Sequence, residues 1–228
     1  LPHMGNWDHA GAWITLRGIP LTTVAQRLRP ESLFQRFTAY RESLGMEVLP
    51  LTGGTSNTVG TLARRLRGGG LVCLLADRAI GGTGLEVEFF GERARVPSGP
   101  AALAMNTGAA LMPVSLWYDG PYWNIRVHDE IPVAEGATRA ERLHTTTQEL
   151  VRVFEGAIAR HPEDWHMLQP VFSSDHGPSS REPSGTASRD AVPGTTDGGR
   201  KTGMPAADGV EDGNGIGENR YERDERNG

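Results

Sequence analysis

Cysteine, lysine and long hydrophobic runs are what this chain has least of. Cys73 is the only cysteine among 228 residues, so no intrachain disulfide can form, and a reducing compartment is the expected setting. It stands inside the apolar run LVCLLA, where a buried structural thiol is expected rather than a nucleophile. No run of about 18 apolar residues exists, which excludes a spanning helix within this sequence. No secretory signal is visible, and because the first residue is Leu1 rather than Met, a truncated N-terminus is expected. Lys201 is the only lysine, so an anion site in the folded part has to use arginine, whose planar fork suits phosphate and carboxylate.

Apolar residues are also scarce for a chain of this length, at 37%, and the shortage is local. From Ser173 onward the sequence runs SSDHGPSSREPSGTASRD and ends NGIGENRYERDERNG, with large apolar residues scattered and without period. Such a stretch cannot bury enough surface to offset about 1–2 kcal/mol of backbone entropy per residue. It is read as a disordered tail over 173–228, removable at Ser173, behind one folded domain over 1–172. The tail holds 7 Lys+Arg against 11 Asp+Glu, so it carries −4 of the net −5. The folded part is near neutral, which excludes nucleic-acid binding by bulk charge.

Within 1–172 helical and extended patterns alternate. A helix is expected to begin near Asp8, followed by a strand at TTVAQRL and a turn at Arg29–Pro30. PESLFQRFTAYRESLG reads as a helix with Leu33, Phe34, Phe37 and Leu44 on one face and Gly45 as its stop. MEVLPL is a short strand, GGTSN a loop, and TVGTLARRLRGGG a helix with basic residues at its C-terminal end. LVCLLAD reads as a strand buried on both faces, GLEVEFFGERARVP as a loop with a short extended segment, and SGPAALAMNTG as a helix that Ser98 can cap. Two more strands, ALMPVSLWYD and YWNIRVHDEI, precede a long amphipathic helix from ATRAERL to Pro162. The expectation is an α/β domain with a mostly parallel central sheet flanked by helices. Ligands sit at the carboxyl ends of strands in such sheets, which singles out Asp77 and Arg78 after LVCLLA.

The opening LPHMGNWDH crowds His3, Asn6, Asp8 and His9 around Gly5 and Trp7. His3 and Asp8 can meet only if the backbone between them turns, and Gly5-Asn6 has that turn chemistry. An Asp accepting from one ring nitrogen of a His leaves the other free to take a proton from a hydroxyl, which makes a general-base pair. Two other readings stand beside it. Asp8 can cap a helix while His3 is a hydrogen-bonded core residue. A metal site could use His3, Asp8 and His9, although histidines are missing where Met4 and Asn6 stand.

The string HMGNWD, with its H-x4-D spacing, resembles the signature of glycerolipid-type acyltransferases. Its H-x-G-N-W-D/E form is similar to the lipid A biosynthesis acyltransferases, the lauroyl and myristoyl transferases. TTVAQRLRPESLFQRFTAYRESLGMEVLPL, VCLLADR, GLEVEFFGERARVPSGPAALAMNTGAALMPV and HPEDWHMLQPVF follow in order and resemble the actinobacterial phosphatidylinositol mannoside acyltransferase branch. That resemblance implies a glycerolipid-acyltransferase-like fold, and an N-terminal helical region before the motif that this chain lacks. It implies acyl-CoA as co-substrate with no further cofactor and no metal. The acceptor it implies is a mannose hydroxyl of a phosphoinositide glycolipid, with peripheral contact at the cytoplasmic face of the plasma membrane.

By the same resemblance His3 is the base, Asp77 its supporting carboxylate and Asp8 the orienter of the motif. The family pattern has a Glu in place of Asp77. The shorter side chain is expected to reach His3 by a backbone shift or through a water. Arg41 is expected to bind an anionic part of a substrate, unless it merely pairs with Glu31 or Glu42. Asn6, Arg78 and Phe90 of the FFG element are the other expected substrate contacts; Arg78 could instead pair with Asp77. A different acyl acceptor, a hydrolase and a non-catalytic lipid-binding fragment are the alternatives.

Overall fold

The computed structural model describes residues 1–51, 57–80 and 84–175, all within one compact unit. The opening loop leads into α1 (Trp7–Thr15), then β1 (Leu21–Ala25), α2 (Glu31–Ser43), β2 (Glu47–Pro50), α3 (Thr58–Arg67) and β3 (Leu71–Cys73). These strands form a parallel sheet in the order β2-β1-β3, as the alternation of helical and extended patterns requires. Four further strands, β4 (Leu85–Phe89), β5 (Glu92–Val96), β6 (Val114–Asp119) and β7 (Tyr122–Val127), pair as two antiparallel hairpins. Helix α4 (Gly99–Thr107) lies between the hairpins in sequence, and α5 (Arg139–Ile158) follows them.

The fold is therefore α/β with a three-stranded parallel part. GLEVEFFGERARVP, expected to be mostly loop, is a hairpin instead. Its turn is Phe90–Gly91, both with positive φ (54° and 77°), the two-residue geometry whose twist matches the flanking strands. The alternation Val87, Phe89 inward and Glu86, Glu88 outward marks a half-buried strand. The inward side packs under α5, where Leu150, Val151, Phe154 and Ile158 close the largest core cluster.

Other elements depart from expectation locally. Strand β3 ends at Cys73 and is only half-buried, with Leu71 exposed, because only β1 pairs with it as a strand. On α2, Phe34 and Leu44 pack against the Leu21, Met46 and Val48 cluster, while Leu33 and Phe37 are exposed. Ser98 makes no side-chain cap, since its backbone is already helical. Helix α5 starts on a capping box between Thr138 and Glu141 and stops at Ile158, before a separate 3-10 turn at Pro162–Asp164. Most of the GGTSN loop lies outside the described residues.

The domain also runs past residue 172. Ser173–Asp175 forms a 3-10 turn in which Asp175 accepts from Val171 N and Phe172 N, both at 2.9 Å. A cut at Ser173 would remove those bonds, and the compact unit that begins at Leu1 continues past it. The remainder of the expected tail lies outside the described residues.

Candidate active site

The chain begins beside the continuation of β3. The Leu1 ammonium donates to the Leu74 carbonyl at 2.9 Å, and Ala76 N donates to the Leu1 carbonyl at 3.0 Å. This is the hydrogen-bond pattern of neighbouring parallel strands. Two residues further along each segment, His3 and Asp77 come to lie side by side.

Asp77 is fully buried and His3 is 21% exposed at its side chain. The Asp77 Oδ1 accepts from His3 Nδ1 at 2.5 Å, and Oδ2 accepts from the His3 backbone N at 2.8 Å. The shorter acid thus reaches the ring directly, with no intervening water. The whole His3 residue, backbone included, lies against the carboxylate, and that proximity replaces the missing methylene. A carboxylate can only accept, so the contact puts the ring proton on Nδ1. Nε2 has no partner among the described residues. Burial pushes the Asp77 carboxyl up, but the His3 bonds and charge, with the Trp165 indole, outweigh it and hold the group below its ordinary value.

That direction sets a pH dependence. A carboxyl whose folded pKa is depressed stabilises the fold fully above the unfolded value of about 3.9, and the contribution is lost as pH falls through the folded value. Thermal melts are therefore expected to show a drop in Tm below about pH 4. Asp77→Asn should lack part of that drop, and an identical acid profile in the variant would contradict this account.

Asp8 does not join the pair. It sits in the first turn of α1, where a carboxylate is favoured by the helix N-terminus, and its side chain meets α2 rather than His3. Arg41 Nε and Nη2 donate to its two oxygens at 2.7 and 3.3 Å. Arg41 therefore pairs with neither Glu31 nor Glu42; Glu31 is held by Arg27. The Asp8–Arg41 fork borders a small, mostly apolar pocket walled by Trp7, Leu21, Val24, Met46 and Leu75.

Asn6 is the cap of α1: its Oδ1 accepts from His9 N at 2.9 Å. Gly5 makes the turn between His3 and this helix with φ +53°, and a Cβ there would lie 3.0 Å from the backbone of Leu116. His9 stacks on Trp123 at 4.7 Å, so His3, Asp8 and His9 each have a separate partner and do not converge on a metal. Among the described residues the group with metal-ligand proximity is His161, Glu163 and Asp164. There His161 already stacks on Trp117, and Asp164 Oδ2 already accepts from Tyr118 N at 2.9 Å.

Arg78 follows Asp77 without pairing with it, since the Asp77 oxygens are taken by His3 and Trp165. Phe90 is at the exposed hairpin tip, where its N donates to Glu155 and its ring stacks on Phe89 at 4.9 Å. Cys73 is half-buried, and burial pushes its thiol up, as suits a structural role.

One contributor was not singled out in the sequence. The HPEDWHMLQPVF segment returns antiparallel to the opening loop: Gly5 N donates to the Asp164 carbonyl at 3.0 Å and His166 N to the His3 carbonyl at 2.7 Å. Between them Trp165 Nε1 donates to Asp77 Oδ2 at 2.8 Å. The signal for it was chemical: a tryptophan beside core residues needs an acceptor for its one donor.

The sequence profile of the bacterial lipid A biosynthesis acyltransferases matches residues 1–174. The chain belongs to that family. It is 49% identical over 186 residues to a phosphatidylinositol mannoside acyltransferase of Mycolicibacterium smegmatis, covering 82% of this chain and 60% of that protein. It is 50% identical over 181 residues to a protein of the same name from Mycobacterium tuberculosis, covering 79% of this chain and 56% of the relative. The chain thus spans less than two thirds of the length of these relatives. Within the family's matched region lie both the His3–Asp77 pair and the Trp165 segment that closes over it.

Proposed function

We propose that this chain is the base-bearing part of an acyltransferase that moves a fatty acyl group from acyl-CoA to a mannose hydroxyl of a phosphatidylinositol mannoside. The observation that carries the chemistry is His3, with Nδ1 committed to a buried carboxylate and Nε2 without a partner among the described residues. The choice of acceptor follows the names of relatives that are half identical to it.

In this reading Nε2 takes the proton of the acceptor hydroxyl as its oxygen attacks the thioester carbonyl. The tetrahedral intermediate collapses with cleavage of the carbon–sulfur bond, and the imidazolium returns its proton to the departing CoA thiolate. Asp77 stays ionised and stabilises the imidazolium. No metal or further cofactor enters these steps. Arg78, unpaired among the described residues, supplies a guanidinium for an anionic part of donor or acceptor. Arg41, bound to Asp8, joins α2 to the motif. Phe90 offers an exposed ring to an acyl chain. A lipid acceptor calls for peripheral contact with a membrane at its cytoplasmic face; no helix among the described residues is long and apolar enough to cross one.

The test is acyl transfer from palmitoyl-CoA to phosphatidylinositol dimannoside by an extended protein of its relatives' full length that contains this chain. Formation of acylated mannoside is the expected result. CoA release without it would overturn the acceptor assignment in favour of hydrolysis or another lipid. Acyl-CoA binding without turnover would leave a lipid-binding role.

A further inference from the structure

Asp77 accepts three hydrogen bonds, and two of them come from His3 itself. Of its hydrogen bonds, therefore, only the third can steady the carboxylate independently of the residue it serves. The remaining bond, from Trp165 Nε1, comes from a segment 88 residues downstream. We infer that Trp165 is the positioning residue of the His3–Asp77 pair: its indole N–H fixes the carboxylate from outside, so that the carboxylate aims His3.

The indole is held firmly enough for this work. Its backbone bridges Met4, which is fully buried in the core. Its ring meets Phe89 edge-on at 5.9 Å and Phe90 at 6.3 Å. On one side Asp164 is pinned by Tyr118 N, and on the other His166 N is bonded to the His3 carbonyl. Phenylalanine can keep part of this packing but not the N–H, which only tryptophan supplies here.

The inference rests on the proposed role of His3 only for its catalytic consequence, so the deciding measurement is made on the protein without substrates. The groups that titrate around the pair are the Leu1 ammonium and Cys73 beside β3, Asp164 and His166 on the Trp165 segment, and Asp8 with Arg41 beyond Trp7. All are kept in the variant Trp165→Phe. Histidine and tryptophan side chains are labelled with nitrogen-15 in the 228-residue chain and followed by NMR through a pH titration.

In the unaltered protein the Trp165 indole resonance is expected to shift with the same midpoint as His3, because both sit on one carboxylate. In Trp165→Phe the His3 ring is expected to lose its fixed orientation, with a broadened Nδ1 resonance. Its Nδ1 proton should exchange with water about tenfold faster. An indole resonance that stays flat through the titration would overturn the inference, and so would an unchanged Nδ1 exchange rate in a folded variant. If the variant does not fold, by circular dichroism, the titration of the unaltered protein decides. In the extended protein, Trp165→Phe should lower kcat with little change in KM. Absence of acyl transfer in the unaltered extended protein would instead refute the proposed function and leave the NMR result standing.

Discussion

His3→Ala is expected to lower acyl transfer by about 10²–10⁴-fold, the range that a positioned general base supplies. The loss should fall on kcat, because the ring acts on the proton that moves in the transition state rather than on the body of either substrate. The structure adds a second effect. With the imidazole gone, Asp77 keeps the donors on its Oδ2 side but has a buried, unpartnered Oδ1. Leaving such a group unsatisfied costs about 1–3 kcal/mol. Assays are therefore to be made well below the variant's own Tm, with steady-state kinetics of the extended protein as the measurement. A variant that retains more than a tenth of the activity would remove His3 from the role of base.

Asp77→Asn is expected to be nearly as damaging to activity and far gentler on the fold. The amide has the carboxylate's shape, and its oxygen can take the Oδ2 place, accepting from His3 N and Trp165 Nε1. The amide nitrogen then occupies the Oδ1 place and donates to His3 Nδ1. A ring nitrogen that accepts carries no proton, so the imidazole proton moves to Nε2, where the base needs a lone pair. Enforcing the wrong tautomer in a His–Asp pair costs on the order of 10⁴ in kcat. Near-normal melting at neutral pH together with a loss of at least 10³ would identify tautomer control as what Asp77 does. Asp77→Ala makes the contrast, because it strands the three donors that met the carboxylate and should unfold more easily by about 2–4 kcal/mol.

How much of this was legible in the sequence depends on the distance a signal had to travel. The helices and the parallel strands were readable because their periodicity is local. So was Asp77, since a charged residue ending an apolar run stands at the carboxyl end of a strand. The H-x4-D spacing marked the right loop, yet the partner of its histidine could not be read from the spacing. Asp8 lies five residues from His3 and goes to Arg41; Asp77 lies 74 residues away and takes the ring. Asn6 was expected as a substrate contact and Asp8 as the residue that could cap the helix; the structure gives the cap to Asn6 instead. The β4–β5 hairpin was missed because Phe90 at its turn has a positive φ that bulky residues seldom adopt. Trp165 was hidden for the opposite reason: its segment carried a family likeness, but no local pattern says which acceptor an indole will find.

The tie from His3 through Asp77 to Trp165 also has a consequence for the order of events when the protein is made. The contact between Asp77 and Trp165 closes a span of 88 residues, and the bridge from Met4 to Trp165 closes nearly the whole domain. Contacts of such separation form late, after local helices and neighbouring strands, because chain entropy must be overcome before they return any stabilisation. A chain emerging from the ribosome can therefore build its parallel sheet while the opening loop still lacks its strap. One stopped before Trp165 would carry both residues of the His–Asp pair without the bond that fixes the carboxylate from outside. Under the proposed function, such unfinished copies should fall short in activity without any separate inhibitor.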